Sequence, residues 1–391
     1  MVENSKKDFF YFSGYVLYIS AVSFWGNFFS SISQSLKIVG IICILITFCM
    51  QKVTVKRFTV YILIGLLMVY FCYSFNNYSF ALAYVFIISF SHKNIERFER
   101  LVEVDFYVRL TGFICTNLFY FIGAAKDVQL LRVSSDHTIV RHSFGYVHPN
   151  ICFMTLFVII VDYYLLLVIK NKRINLYHVI FSLAVTVLYR IGTDSRSGFY
   201  LIILLIAVFV LQSRRKFLQK HSKIVDILCF SPLICLALSI LFIYIYGVND
   251  TLAKFMKELT TNRISSMYYF WNKYDITLFG QKLYKIGTQE AERLGVQAYV
   301  LDNLYINLIL NQGIVFTALF IYYYIRTCFD LKKSSNYYYL VVLAIFVIYG
   351  MFEGITVNID FNYFLILLSI VIKDQVTRKD NIVPSFHKNT T

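Results

Sequence analysis

The chain has 391 residues, 58% of them hydrophobic and 18% aromatic, but only 15% charged. Soluble globular chains carry roughly a quarter charged residues, so apolar blocks on this scale, with a mean hydropathy of +0.63, exclude an ordinary soluble fold and call for a bilayer as solvent. The formal net charge of +15 is scattered in short clusters between those blocks instead of gathered on one face. That pattern excludes a nucleic-acid-binding module and fits cytoplasmic loops under the positive-inside rule.

In chain order, Lys6 and Lys7 precede the first apolar run, and no small-residue cleavage site follows it, which predicts an uncleaved first span. Spans are predicted near 9–26, 36–50, 58–75, 78–91, 106–125, 149–169, 175–191, 198–212, 225–246, 300–325, 337–353 and 356–372. The runs at 78–91 and 356–372 are short against the about 20 helical residues that a bilayer core needs. Charge parity keeps both. The basic groups Lys52, Lys56, Arg57 and Lys93, Arg97, Arg100 must share the cytoplasmic side, as must Arg326, Lys332, Lys333 and Lys373, Arg378, Lys379. The expectation is an all-α polytopic membrane protein, a single domain over 1–391 with twelve spans and both termini cytoplasmic. Of eight cysteines, seven lie within apolar runs and Cys328 at the end of one; with no CxxC and no zinc-spaced histidine, neither a disulfide framework nor a metal site is expected.

What remains is the outer face: loops at 126–148, 192–197, 247–299 and 353–360. In the long loop 247–299, Ile264, Met267, Tyr268, Trp271 and Tyr274 recur at helical spacing after Thr260, Thr261 and Asn262, any of which can cap a helix. This predicts an amphipathic helix over 262–274 lying along the outer membrane surface.

Four outward stretches carry polar chemistry. In RHSFGYVHPN (141–150), Pro149 suits a first helical turn and Gly145 a bend, which leaves Arg141, His148 and Asn150 to be explained. In YRIGTDSRSG (189–198), small polar residues make a turn and Ser195 or Ser197 can cap the next helix. Arg190 and Arg196, however, defy the positive-inside bias, and an anion such as a diphosphate would justify them. Asp302 and Asn303 stand at the mouth of the tenth span, where Asp302 can serve either as a helix cap or as a general base. Glu353, Asn358, Asp360 and Asn362 interrupt the last two apolar runs, where polar groups line a cavity or pair internally.

Together these stretches resemble the Wzy-type polysaccharide polymerases of the O-antigen polymerase and ligase superfamily. The matching elements are R-x-S-x-G-x-x-H-P-N (141–150), D-S-R-S-G (194–198), T-N-R (261–263), F-G (279–280), D-N-x-Y with a glycine ten residues after the Asn (302–313), and Glu353, Asn358 and Asn362 in the tail. They fall in the expected order over most of the chain. The resemblance implies a GT-C-like membrane glycosyltransferase in a bacterial cytoplasmic membrane, with no cofactor or metal. It implies transfer of a growing glycan from undecaprenyl diphosphate to a hydroxyl of the next lipid-linked repeat unit. On that basis Arg141, Arg190, Arg196 and Arg263 become candidates for binding the diphosphate, with Asn150, Asn303 and Glu353 as further substrate contacts. Asp302 becomes the first candidate base and His148 the second. The related ligases have a His-Asn pair where this chain has Asp302-Asn303, so a carboxylate stands in the place of an imidazole. A flippase and a chain-length regulator are implied partners. Richness in Phe, Tyr, Ile, Lys and Asn suggests a low-GC bacterium, and with it a capsule or exopolysaccharide product. The alternatives are a flippase for the same lipid-linked sugars, or a ligase of the same superfamily.

Overall fold

The computed structural model describes residues 2–75, 78–90, 95–133, 138–248, 251, 263–295 and 298–369. Helix dominates. In chain order the main helices are α1 (Val2–Ser20, continued by a π turn at Ala21–Trp25 and by Gly26–Phe28), α2 (Ser30–Cys49), α3 (Val55–Phe75), α4 (Ser79–Ser89), α5 (Ile95–Phe121), α6 (Pro149–Ile169), α7 (Leu176–Thr193), α8 (Arg196–Arg215), α9 (Ser222–Cys229), α10 (Ser231–Val248), α11 (Arg263–Lys273), α12 (Leu304–Lys333) and α13 (Tyr337–Tyr349). Among the described residues eight helices are long and apolar enough to cross a membrane, and α4 and α13 are shorter apolar helices. The protein is a mostly helical, membrane-embedded chain.

Several predicted boundaries move, for physical reasons. The span expected at 106–125 begins at Ile95, because Glu96, Arg97, Glu99 and Arg100 extend the same helix in a polar first part. The run at 225–246 is broken at Phe230 into α9 and α10, with Pro232 in the first turn of the second helix, where its missing N–H costs nothing. The run at 356–372 is not a continuous helix over its described part. It is made of 3₁₀ turns at Gly354–Val357 and Tyr363–Leu367, and protein buries Tyr363–Leu367 on all sides. Residues 370–372 and the basic group at 373–379 lie outside the described residues. The loop at 126–148 holds the one departure from helix among the named elements, an antiparallel hairpin of β1 (Leu130–Val133) and β2 (Thr138–Arg141), with Leu130 opposite Arg141.

α6 is the central post: 83% of its apolar window is buried, against 17% for α3 and for α7. α13 and the 3₁₀ segment close around it, with Phe157 edge-on to Phe346 and Tyr349. α1 and α2 pack backbone to backbone, since a Cβ on Gly14 would fall 2.6 Å from the Gly40 carbonyl oxygen, the small-residue contact that lets membrane helices approach. Ionic groups also sit inside. Arg109 and Asp105 form a fully buried ion pair at 2.5 Å; Tyr15 donates to Asp105 and Tyr363 to Asp162, each at 2.6 Å. Asp162 is visible in the sequence as a mid-membrane acid; its neighbours on α5 are not.

α11 confirms the amphipathic segment but corrects its setting. Its apolar face, Ile264, Met267 and Phe270, is packed on protein, in a second core with Ile243 of α10, Leu283, Leu301 and Leu310. The capping candidates Thr260, Thr261 and Asn262 lie outside the described residues. The described part of the long loop is thus packed on protein. It is pinned by Gly280 and Gly313, both at positive φ (84° and 85°) and so close that a Cβ on Gly313 would lie 2.4 Å from the Gly280 nitrogen. Ile314 and Val315 donate backbone hydrogen bonds to Thr277 and Leu278 across this contact.

Candidate functional site

The basic termini Lys170, Arg214–Arg215 and Lys332–Lys333 all lie at helix C-terminal ends. The N-terminal ends of α6, α8 and α12 therefore lie toward the opposite end of the bundle, and the polar residues singled out in the sequence gather there. β2 places Arg141, and the extended His148 starts α6 and so presents Asn150 one turn in. Arg263 opens α11, Asp302 precedes α12, and Glu353 follows α13.

These side chains form a connected chain of contacts. Arg141 donates through Nε to the Thr193 carbonyl at 2.7 Å and through Nη2 to Asn150 Oδ1. Asn150 Nδ2 donates to Glu353 Oε1 at 3.1 Å, and the same oxygen accepts from Arg263 Nη2. Arg263 Nε lies 3.7 Å from Asp302 Oδ2. The Thr193 contact leads to the neighbouring turn, where Asp194, itself in the left-handed region, holds Arg190 at 3.1 Å and Arg196 at 3.4 Å on one oxygen. Asp194 is almost completely buried while its two arginines are 31% and 43% exposed. The carboxylate thus acts as a post that holds two guanidiniums toward the outside.

Two predicted residues have structural duties. His148 is the N-cap of α6: its Nδ1 accepts from the Asn150 backbone N–H at 3.0 Å. Burial, and then Arg141, lowers its pKa to about 4, so it is neutral at pH 7 with the δ lone pair engaged. Asn303 caps α12 through Oδ1 and donates to Ser239 and to the Met351 carbonyl; it is buried away from the cleft. In the tail, Asn362 donates to the Thr356 carbonyl and Asp360 accepts from Tyr18, so those two pair internally. Glu353 is the tail residue whose contacts reach the site.

Lys285 was not singled out, although it and Lys282 sit in the outer loop against the same charge bias that flagged Arg190. It donates to Asn307 at 2.8 Å and interacts with Asp302. Its surface is exposed, yet protein packed around the ammonium lowers its pKa to about 8 against the opposing pull of Asp302.

The electrostatics divide the two acids. Burial raises Glu353 to about 7, with Arg263 opposing that rise, so it exchanges a proton near neutrality. Burial also raises Asp302, while Arg263 and Lys285 pull it back. With 36% of its side chain accessible, against 7% for Glu353, Asp302 is the acid an incoming hydroxyl can reach. Five cations (Arg141, Arg190, Arg196, Arg263, Lys285) stand with three carboxylates (Asp194, Asp302, Glu353) at this end of the bundle, an excess of positive charge suited to a polyanion. Comparison with protein-family models, with curated proteins and with solved structures finds no match.

Proposed function

We propose that the chain is a membrane glycosyltransferase that polymerises polysaccharide repeat units on the outer face of a bacterial cytoplasmic membrane, as its Wzy-like motifs suggest. In this reading the helices make twelve crossings in a GT-C-like arrangement with both termini cytoplasmic, and a flippase and a chain-length regulator work alongside. The observation that carries it is the gathering, at one end of the bundle, of four arginines from three sequence stretches, with Arg263 beside the accessible carboxylate of Asp302.

In this reading the chemistry runs as one displacement. A donor glycan is linked through its anomeric carbon to undecaprenyl diphosphate. Asp302 takes the proton of an acceptor hydroxyl on the next lipid-linked unit, and that oxygen forms the new bond to the anomeric carbon. The bond to the diphosphate oxygen breaks, and its electron pair leaves with the diphosphate. Charge grows on that leaving group, and Arg263, Arg141, Arg190 and Arg196 are already oriented by Glu353, Asn150, Thr193 and Asp194, so little reorganisation is needed as it develops. Glu353, exchanging its proton near pH 7 and hydrogen-bonded to Arg263, sets how fully that guanidinium is neutralised before substrate arrives. His148 holds the corner that aims Arg141 and Asn150; its engaged Nδ1 makes Asp302 the stronger base candidate.

A flippase for the same lipid has one observation in its favour: the buried Asp105, Arg109 and Asp162 at mid-bundle, where transporters place coupling groups. Purified protein in vesicles with a fluorescent lipid-diphosphate repeat unit separates the two. A product ladder that is lost in Arg196→Ala supports the polymerase. Movement of the lipid across the bilayer with no ladder would replace it with the transporter.

A further inference from the structure

Beside the site, α3, α4 and α12 line two neighbouring cavities. The upper section is lined by Phe75, Tyr78, Leu82, Leu283, Lys285 and Asn311. The lower section, lined by Met68, Phe80, Ala83, Phe316, Leu319 and Phe320, presents almost no polar surface. The same three helices supply both. On α3 the walls step from Phe75 to Met68, on α4 from Leu82 to Ala83 and Ile87, and on α12 from Asn311 to Phe316, Phe320 and Tyr323. Seven residues of α3 correspond to about 10 Å of descent. A lipid occupying both would begin at Lys285, which interacts with Asp302, and descend along the apolar walls of the same helices.

We propose that the two cavities form one cleft that binds the lipid part of the substrate, a polyprenyl diphosphate, with its anionic head beside Lys285 and Asn311 and its first isoprene units in the apolar groove below. The assignment rests on the polymerase reading for the choice of lipid, and it specifies which face of the bundle the donor uses.

Three observations converge on this occupant. First, the lower wall offers nothing to a sugar or an ion, so only hydrocarbon gains by entering. Its Phe80 and Phe316 rings meet edge to face at 4.7 Å, leaving flat aromatic walls for branched, planar isoprene units. Second, the head position is cationic: Lys285 lines the upper section and donates to Asn307 at 2.8 Å, which leaves further N–H donors for an anion. Asn311 is buried, and its Oδ1 has no hydrogen-bond partner; turned over, the amide presents N–H to a phosphate oxygen. Third, Lys285 interacts with Asp302, so a diphosphate bound there presents its anomeric carbon next to the accessible carboxylate and Arg263. A bilayer phospholipid satisfies the first observation but has no need of the third.

The groove is about two helical turns deep, so it grips only the head-proximal isoprenes and leaves the rest of the tail in the bilayer. Farnesyl diphosphate should then bind within a few-fold of undecaprenyl diphosphate.

The test is direct binding of sugar-free undecaprenyl diphosphate to the full chain in phosphatidylcholine nanodiscs, with transfer activity measured separately. Lys285→Ala should weaken the diphosphate by about tenfold or more, the worth of a charge-assisted contact, while uncharged undecaprenol is unaffected. Leu319→Trp, at a position 43% exposed and so tolerant of bulk, should weaken both lipids and leave the melting temperature unchanged. Unchanged affinity in both variants would overturn the cleft, as would equal competition by phosphatidylglycerol. The two ideas fail separately. A protein that polymerises while both variants bind and act as wild type refutes the cleft alone. One that binds through the cleft but forms no glycosidic bond refutes the polymerase alone.

Discussion

Two ionic clusters in this molecule are built from the same parts and have opposite surroundings. Inside the bundle, Arg109 pairs with Asp105 at 2.5 Å near Asp162, with all three side chains fully buried. At the outer end, Arg263 joins Glu353 and lies 3.7 Å from Asp302, whose side chain is 36% accessible. Each sets one arginine among two acids. The inner cluster is wholly buried and tied by tyrosine hydroxyls to α1, α5, α6 and the 3₁₀ segment, with Arg109 Nη1 and Nη2 and Asp162 Oδ2 left without hydrogen-bond partners among the described residues. The outer one is completed by an accessible carboxylate and extra cations, so it has capacity left for a ligand. Exposure, more than residue type, separates a structural ion cluster from a binding one.

The largest expected effect belongs to the inner cluster. Arg109→Leu leaves buried carboxylates without their cation and should cost about 3–5 kcal/mol, read as loss of folded protein in detergent. A variant that folds normally and loses only activity would move this cluster to the functional side of the comparison.

Next in size, Arg263→Ala should reduce transfer by about 10²–10³-fold with a near-normal melting temperature. Equal loss of stability in the two arginine variants would erase the distinction drawn here.

Glu353 sharpens the comparison through pH. Its carboxyl is raised from 4.5 to about 7 in the folded protein, so between those values the native state holds more protons than the unfolded chain. Its contribution to stability is therefore present at low pH and lost as pH rises toward 7. Glu353→Gln should flatten that part of the curve of melting temperature against pH; an unchanged slope would assign the titration elsewhere.

The smallest effect is expected at His148. Removing an N-cap side chain costs about 1 kcal/mol, so His148→Ala should lower stability slightly, and His148→Asn should restore both stability and activity. Activity lost in both variants would return His148 to the chemistry.

Much of this was legible in the sequence, wherever a residue's surroundings are set locally. The helix from Pro149 to Ile169 matches its apolar run end to end, because a proline starts it and Lys170 follows it. Arg141, Asp302 and Glu353 could be nominated as charged groups at the edges of apolar runs, and Asn150 and Arg263 through the family resemblance. What could not be read is pairing at a distance. Asp105 and Arg109 lie in a charge-rich stretch continuous with the neighbouring group Glu96, Arg97, Glu99 and Arg100, and packing against Tyr15 reveals them as interior. Asn303 and His148 resemble site residues until their cap bonds are seen. The run at 356–372 reads as a span because it is apolar, but over its described part 3₁₀ turns buried by protein take the place of a continuous helix.

The most direct test of the central claim is the Asp302→Asn variant of the purified protein, supplied with lipid-diphosphate repeat units and measured for both binding and chain growth. The account predicts normal melting temperature, lipid binding within a few-fold of wild type, and loss of the polymer ladder, with Asp302→Glu recovering part of it. A full ladder from Asp302→Asn would contradict the assignment of this outward carboxylate as the base on which the reaction depends.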